Sequence, residues 1–190
     1  MRWFEHYLST LHRITAATIV TTSDGNVFDI SEALDKMWED MCAAHSRGNK
    51  VMFIGNGGSA GICSHSAIDY CNSGGIRALA FNDGAALTCL GNDYNFDQVF
   101  SRQIGFHGQD GDILVAISSS GRSADIINGC EIARQMGCAV YTLSGFDTDN
   151  PLRKIGDTNI FLESHEYGFV ELGHQTIIHA VLDRGVGWKK

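Results

Sequence analysis

The chain has 190 residues, 22 of them acidic and 14 basic, so its formal net charge is -8 at pH 7. This acidity argues against a nucleic-acid surface and against a polybasic membrane patch. With 44% hydrophobic and 19% charged residues, the composition is that of a globular protein with one substantial core. We therefore expect a single domain over residues 1–190. The sequence has no long apolar stretch and no signal-peptide pattern, which predicts a cytoplasmic protein.

Two amphipathic helices are predicted before the first strand. Apolar residues recur at spacings of three and four over residues 1–20 and again over residues 30–42. Between them, residues 21–26 are predicted to be a flexible connection. The helices carry more apolar surface than one sheet face needs, so we expect residues 1–48 to form an oligomer interface and residues 49–190 an α/β core. The large side chains of this surface are Trp3, Phe4, Tyr7, Met37, Trp38 and Met41.

Strands and helices alternate through the rest of the chain. Short apolar runs predict strands at residues 50–54, 77–81, 112–117, 138–143 and 158–162. Helical patterns follow these strands, at residues 59–70, 86–104, 123–136 and 171–182. This order predicts an α/β fold: a doubly wound, mostly parallel five-stranded sheet flanked by helices, of the flavodoxin-like kind, with two additional N-terminal helices.

Two strand-to-helix loops are candidate ligand sites, because such folds bind ligands outside the carboxyl ends of their strands. The first loop, GNGGS at residues 55–59, allows backbone N–H groups to approach an anion. It is neither a Walker loop nor a GxGxxG fingerprint. The second loop, SSSGRS at residues 118–123, offers neutral hydroxyl donors, which favours a sugar phosphate over a nucleoside triphosphate. The alternative for Ser120 or Ser123 is a simple helix cap.

Histidines and carboxylates at helical spacing form a third group. His65 and Asp69 are four residues apart in the helix after the first loop, and Glu171 and His179 share one face of the last helix. Two histidines and two carboxylates suit an acid–base site or a tetrahedral metal site. The alternative is that each pair belongs to a solvated helix face.

In this order, the motifs resemble the sugar isomerase (SIS) domain, and within it the phosphoheptose isomerases. The resemblance rests on GNGGS at residues 55–59, LGNDYNFDQVFSRQI at 90–104, GDILVAISSSGRSADII at 111–127 and the last helix with His179. It implies an aldose–ketose isomerase that converts sedoheptulose 7-phosphate to D-glycero-D-manno-heptose 7-phosphate through an enediol, for lipopolysaccharide or capsule precursors. Family members are typically homotetramers with active sites built between subunits.

The resemblance also implies which residues act. Asp69 and His179 match the two catalytic positions, and His65 matches a histidine that binds zinc in some members. The substrate-binding set that it implies comprises Asn56, Gly57, Ser59, Asp93, Ser118, Ser119, Ser120, Ser123 and Glu171. We further expect a Zn²⁺ ion on His65, Asp69, Glu171 and His179, where it would polarise the oxygens of the substrate.

Several positions depart from the family pattern. Asp69 replaces a glutamate that is one methylene longer, Glu171 replaces a glutamine, Ser73 replaces an arginine, and residues 165–171 shorten a longer segment. A shorter carboxylate changes the position of the base, so the identity of the substrate stays open. The alternative function is a non-catalytic SIS module that binds a sugar phosphate or a replication-initiator protein. The retained histidines and carboxylates favour the enzyme, because a binding module needs no such set.

Overall fold

The computed structural model describes residues 2–188, which form one sheet with helices on both faces. The strands are β1 (Ile19–Thr22), β2 (Val27–Phe28), β3 (Val51–Gly55), β4 (Ala78–Ala80), β5 (Ile113–Ser118), β6 (Ala139–Ser144) and β7 (Thr158–Phe161). The α-helices are α1 (Trp3–Ala16), α2 (Ile30–Ser46), α3 (Gly58–Asn72), α4 (Gly84–Asp93), α5 (Val99–His107), α6 (Ala124–Gln135) and α7 (Tyr167–Gly185). Short 3₁₀ turns lie at Phe96–Gln98 and Pro151–Lys154.

Five strands run parallel in the order β4-β3-β5-β6-β7. This is the flavodoxin-like order, so the predicted fold class is confirmed. The chain first builds outward from β3 to β4, and then continues on the other side of β3 with β5. The loops that follow β3 and β5 therefore lie side by side at the carboxyl edge of the sheet, which is where ligands bind in folds of this kind.

The core explains why the central strands are the best predicted elements. Every residue of β3 and β5 is buried, as expected for parallel strands covered by helices on both faces. Successive side chains point to opposite faces: Val51 and Phe53 pack towards α2, α3 and α7, whereas Met52 and Ile54 pack towards α5 and α6. The loops after these strands thus extend from a rigid, buried support.

The N-terminal region differs from the prediction of two helices joined by a flexible connection. Helix α1 ends at Ala16, and the chain continues as β1, which pairs antiparallel with β2 and with β7. Residues 18–22 are all β-branched, which favours a strand over a helix. The Thr22 N–H donates to the Asn26 carbonyl at 3.0 Å and closes an ordered hairpin. The sheet therefore has seven strands, not five.

The apolar surface of the two N-terminal helices is divided between the core and solvent. Met37 and Met41 of α2 are fully buried, so the expectation that they belong to an oligomer interface is wrong. They pack in the core with the apolar residues of α3 and α7. Trp3 and Phe4 of α1 are 79% and 53% exposed. Within residues 2–188, none of the helices has the length and apolar character needed to cross a membrane.

Candidate active site

The loops after β3 and β5 enclose one pocket of about 240 Å³ at the carboxyl edge of the sheet. Its lining consists of Asn56, Gly57, Gly58, Ser59, Ile117, Ser118, Ser119, Ser120, Ser123, Tyr167 and Glu171. Every predicted substrate-binding residue except Asp93 is in this lining. Asp93 lies at the end of α4, where its carboxylate accepts a hydrogen bond from the Asn92 amide at 3.0 Å. The two loops that the sequence singles out thus form a single site.

The serine loop leaves most of its donors available to a ligand. Ser123 occupies the N-cap position of α6, but its side chain makes no capping hydrogen bond. Its hydroxyl instead lies 3.4 Å from the Ser118 hydroxyl. Ser120 accepts a hydrogen bond from the Arg122 N–H at 3.3 Å, which is a local turn contact. In the first turn of α6, the N–H groups of Asp125 and Ile126 donate to the Asp125 carboxylate, so the serine hydroxyls and the remaining amides at the helix start are the groups that can surround an anion.

The serine loop brings no positive side chain to the pocket, because its only arginine points away. The Arg122 guanidinium donates to the carboxylates of Asp147 and Asp149, at 3.3 and 3.2 Å. None of the residues that line the pocket is basic. A bound phosphate would therefore be held by hydroxyls, by backbone N–H groups and by the positive end of the α6 dipole.

The opposite wall of the pocket combines a glycine with a carboxylate. Gly57 has a φ of 54°, a conformation that glycine adopts readily, and Gly58 begins α3. A Cβ atom on Gly58 would overlap the Glu171 carboxylate, so that carboxylate lies directly over the first turn of α3. This is a favourable place for negative charge. Glu171 therefore fills the anion position at α3, and an incoming phosphate is directed to the serine loop.

Asp125 is a site residue that the sequence interpretation missed. It lies in the first turn of α6, is only 4% exposed, and accepts a hydrogen bond of 2.7 Å from the Asn56 side-chain amide. Because the Asn56 nitrogen faces this carboxylate, the Asn56 oxygen is left as an acceptor for a ligand. Burial raises the pKa of Asp125, although the hydrogen bond from Asn56 opposes this effect. The available signal was its position, two residues after the serine loop.

A second cluster lies further along α3, where this helix packs beside α7. His65 Nε2 is 3.1 Å from an Asp69 carboxylate oxygen, and His179 Nδ1 is 3.9 Å from the same oxygen. The Tyr70 hydroxyl, next to Asp69 in sequence, donates to the carbonyl of Ile178 at 2.9 Å. This buried hydrogen bond fixes the register of the two helices, so Asp69 and His179 are held facing each other. The two predicted catalytic residues are therefore brought together.

The cluster contains three of the four expected metal ligands. One ligand atom each from His65, Asp69 and His179 lies within 4.8 Å of the others. Two imidazoles and one carboxylate, with a position left open, match the ligand type of catalytic zinc sites. Glu171 does not join them, because its carboxylate lies over Gly58. That glycine precedes Asp69 by eleven residues, which corresponds to about 16 Å along α3.

His174 lies between Glu171 and His179 in the sequence of the last helix, but it faces the core. Its side chain is fully buried, and Nε2 donates to the Ser144 carbonyl at 3.2 Å. Burial lowers the pKa of this imidazole to about 4, so it is neutral over the physiological range. His174 therefore supports the fold at the end of β6 rather than the chemistry of the site.

Together, the buried parallel sheet and the serine-lined pocket at its switch point define a small-molecule-binding α/β protein of the doubly wound class. The sequence profile of one protein family, described as the SIS domain, matches residues 13–145. This match covers more than half of the chain. It includes β3, β5 and both of the loops that line the pocket.

Individual relatives define the group within the family. The phosphoheptose isomerase of Citrifermentans bemidjiense is 33% identical over 161 residues, covering 82% of this chain and 83% of that protein. That of Helicobacter hepaticus is 34% identical over 163 residues, covering 83% of each. A phosphoheptose isomerase structure from Neisseria gonorrhoeae matches with a TM-score of 0.81 and 28% identity, over 95% of this chain and 96% of that one. The chain belongs to the SIS domain family, and within it to the phosphoheptose isomerases.

Proposed function

We propose that the protein interconverts sedoheptulose 7-phosphate and D-glycero-D-manno-heptose 7-phosphate, and so supplies heptose precursors of lipopolysaccharide or capsule. The observation that carries the proposal is the placement of two sites on one helix. The phosphate pocket lies at the start of α3, and the His65, Asp69 and His179 cluster lies further along it. Ser59 and His65 are six residues apart, about 9 Å along the helix axis. A seven-carbon phosphate has its reacting carbons far enough from its phosphate to bridge the two.

Binding is assigned to the pocket residues. The phosphate is held by the hydroxyls of Ser118, Ser119, Ser120 and Ser123 with the N–H groups at the start of α6. Asn56 presents its side-chain oxygen as an acceptor for a sugar hydroxyl, and Glu171 does the same from the opposite wall. A carboxylate at α3 repels the phosphate, so these contacts give the substrate one orientation, with its carbonyl end directed along α3.

The proton transfers are assigned to Asp69 and His179. One of these groups removes the proton on C1, next to the ketone, while the electrons of that C–H bond form the C1–C2 double bond and the C2 oxygen gains a proton. The resulting enediol loses its O1 proton and takes a proton on C2, which leaves the aldehyde at C1. The two side chains approach within 3.9 Å, so both reach adjacent atoms of one substrate.

We also infer that His65, Asp69 and His179 hold a Zn²⁺ ion, as their donor types and spacing fit one. Bound there, the ion supplies polarisation of the carbonyl and hydroxyl oxygens of the substrate. Metal analysis of protein purified without chelators tests the inference, together with the melting temperature measured with and without added zinc. Protein that contains no zinc, and whose stability and activity do not respond to it, would contradict the inference and leave Asp69 and His179 as metal-free bases.

We further infer that the protein is a cytoplasmic homotetramer in which residues 1–48 contribute to the contacts between subunits. Trp3, Phe4 and Leu8 expose apolar surface on α1. An open groove of about 480 Å³ runs between α1, α2 and α7 and is mainly apolar. Surface of this kind is typical of protein interfaces. Light scattering at working concentration tests the assembly, and a monomer would contradict it.

The decisive experiment is incubation with sedoheptulose 7-phosphate in D₂O, followed by NMR. Formation of the aldose with deuterium at the carbon next to the carbonyl is the expected result, because the enediol exchanges its proton with solvent. Binding of the sugar phosphate without deuterium uptake would instead favour the non-catalytic SIS module. A catalytically inactive Asp69→Asn variant serves as the control for exchange that does not depend on the protein.

A further inference from the structure

Tyr167 lines the phosphate pocket, although no motif of the sequence points to it. It is the first residue of α7 and is 61% exposed. Because Glu171 follows four residues later, the two side chains lie on one face of α7, with Tyr167 one turn nearer to the start of the helix. An exposed aromatic ring therefore stands beside the serine hydroxyls, at the side of the pocket that α7 forms.

Neighbouring rings hold Tyr167 in place. Its ring contacts that of Phe146 edge to face, with centroids 4.8 Å apart at an angle of 80°. Phe146 in turn stacks on His165, at 5.9 Å and 21°. Edge-to-face pairs at such distances are a preferred arrangement of aromatic rings. The Tyr167 ring is thus supported by Phe146, which is not among the residues that line the pocket.

The backbone at Phe146 is kept in an unfavourable conformation. Its φ is 61°, in the left-handed region that residues with a Cβ avoid. Two hydrogen bonds hold the chain here: the Gly145 N–H donates to the Ser119 carbonyl, and the Phe146 N–H donates to the Ser164 carbonyl, each at 2.9 Å. Phe146 therefore connects the serine loop to the segment that enters α7. Strained residues of this kind cluster at ligand-binding and active sites.

We propose that Tyr167, supported by Phe146, is a substrate-binding residue that packs its ring against the carbon chain of a sugar phosphate whose phosphate occupies the serine loop. The nature of this ligand rests on the proposed function. The serines bind any phosphate, whereas the ring offers an apolar face to the C–H groups of the sugar. Tyr167 therefore adds affinity for phosphates that carry a sugar and none for inorganic phosphate.

Two ligands, two variants of Tyr167 and one control variant test the proposal. In Tyr167→Ala, we expect the Kd and the KM for sedoheptulose 7-phosphate to rise about tenfold, the upper range for one aromatic contact. The Kd for inorganic phosphate stays unchanged, a split between the two ligands that a general structural defect would not give. Tyr167→Phe keeps the ring and retains tight binding of the sugar phosphate. Phe106→Ala removes another exposed aromatic side chain, outside the pocket, and serves as the matched control.

Phe146→Gly tests the support separately. Glycine adopts the observed φ without strain, so we expect the fold to remain stable while the sugar phosphate binds more weakly and inorganic phosphate does not. Equal weakening of both ligands in Tyr167→Ala, or no change in either, overturns the proposal. So does a wild-type protein that prefers inorganic phosphate to the sugar phosphate. Tight sugar-phosphate binding without turnover instead refutes the isomerase function, while the binding comparison still decides the role of Tyr167.

Discussion

Two buried aspartates, one at the amino edge of the sheet and one at the carboxyl edge, have pKa values that are shifted in opposite directions. Asp112, which precedes β5 at the amino edge, accepts hydrogen bonds from the Lys50 ammonium, the Lys50 N–H, the Asn49 amide and the Gln109 N–H. Burial acts to raise the pKa of this carboxyl, but the hydrogen bonds outweigh it and the pKa is lowered. Asp125, which follows β5 at the carboxyl edge, has the Asn56 amide as a side-chain donor, and there burial keeps the pKa raised.

The polar groups at the amino edge therefore serve stability, and those at the carboxyl edge serve ligand binding. At the amino edge, polar groups are satisfied by the protein itself, so they stabilise the sheet and leave nothing for a ligand. At the carboxyl edge, Ser123 makes no capping bond and the Asn56 oxygen is left free for a ligand, so the protein leaves donors and acceptors that a ligand can satisfy. Substitutions at the amino edge should therefore change the free energy of unfolding, whereas substitutions at the carboxyl edge should change ligand binding or turnover.

The largest effect is expected at the carboxyl edge, in the cluster on α3 and α7. Asp69→Asn and His179→Ala each remove a proton-transfer group, so kcat should fall by about 10²–10⁴-fold. Both side chains are partly exposed, so the melting temperature measured without zinc should change little. Turnover and thermal unfolding of the same preparations measure both. His6→Ala on α1 is the control, and wild-type turnover in His179→Ala would remove this residue from the mechanism.

At the amino edge, the same kind of substitution should affect stability alone. Asp112→Ala leaves the Lys50 ammonium and three other donors without their shared partner, so unfolding in urea should require about 3–5 kcal/mol less free energy. The kcat of the folded fraction should equal that of the wild type. Asp110→Ala, an exposed aspartate of the same turn, is the matched control. A loss of activity without a loss of stability would contradict the division between the edges.

The sequence predicts the fold best where one local pattern decides the structure. The strands at residues 50–54 and 112–117 are buried apolar runs, and the structure places both within one residue of the prediction. The hairpin after α1 was missed because Ile19 continues the helical spacing of apolar residues, although the β-branched residues around it favour a strand. Two opposing local signals coincide there, and pairing with β7 decides between them.

The sequence predicts those parts of the candidate site that depend on a single loop or on one face of a single helix. The serine loop and the pairing of His65 with Asp69 follow from local spacing, and both are found. Glu171 shares a helix face with His179, yet its long side chain turns to Gly58, and spacing says nothing of that direction. Local spacing does not identify Tyr167 either, because its position in the pocket depends on a ring contact with Phe146, which is distant in the sequence.

Because of His174, the stability of the protein should depend on pH. Its pKa is about 4 in the fold, against about 6.5 in an unfolded chain, so between these values the unfolded state binds the extra proton. Stability should therefore fall by about 3 kcal/mol as the pH decreases from 6.5 to 4. Loss through the lowered pKa of Asp112 follows at lower pH. Urea unfolding of wild type and His174→Gln across this range measures the effect, and equal slopes would contradict it.

The smallest and most specific effect is expected for Asp125→Asn, on the KM for the sugar phosphate. Its carboxylate also accepts hydrogen bonds from the backbone N–H groups of the first turn of α6. In Asp125→Asn, the single remaining oxygen stays with those donors, so the new amide nitrogen faces Asn56. Two nitrogens cannot pair, and the Asn56 amide must turn over, which replaces the acceptor in the pocket by a donor. The KM for the sugar phosphate should then rise about tenfold, as for one lost hydrogen bond.

A double variant separates this effect from a general disturbance of the loop. With Asn56→Asp added to Asp125→Asn, the amide at position 125 donates to the carboxylate at position 56, whose second oxygen is an acceptor facing the pocket. We therefore expect the KM to move back towards the wild-type value, measured by steady-state kinetics with the unfolding midpoint as a check. A double variant worse than both single variants would show that charge in the pocket matters more than the direction in which Asn56 points.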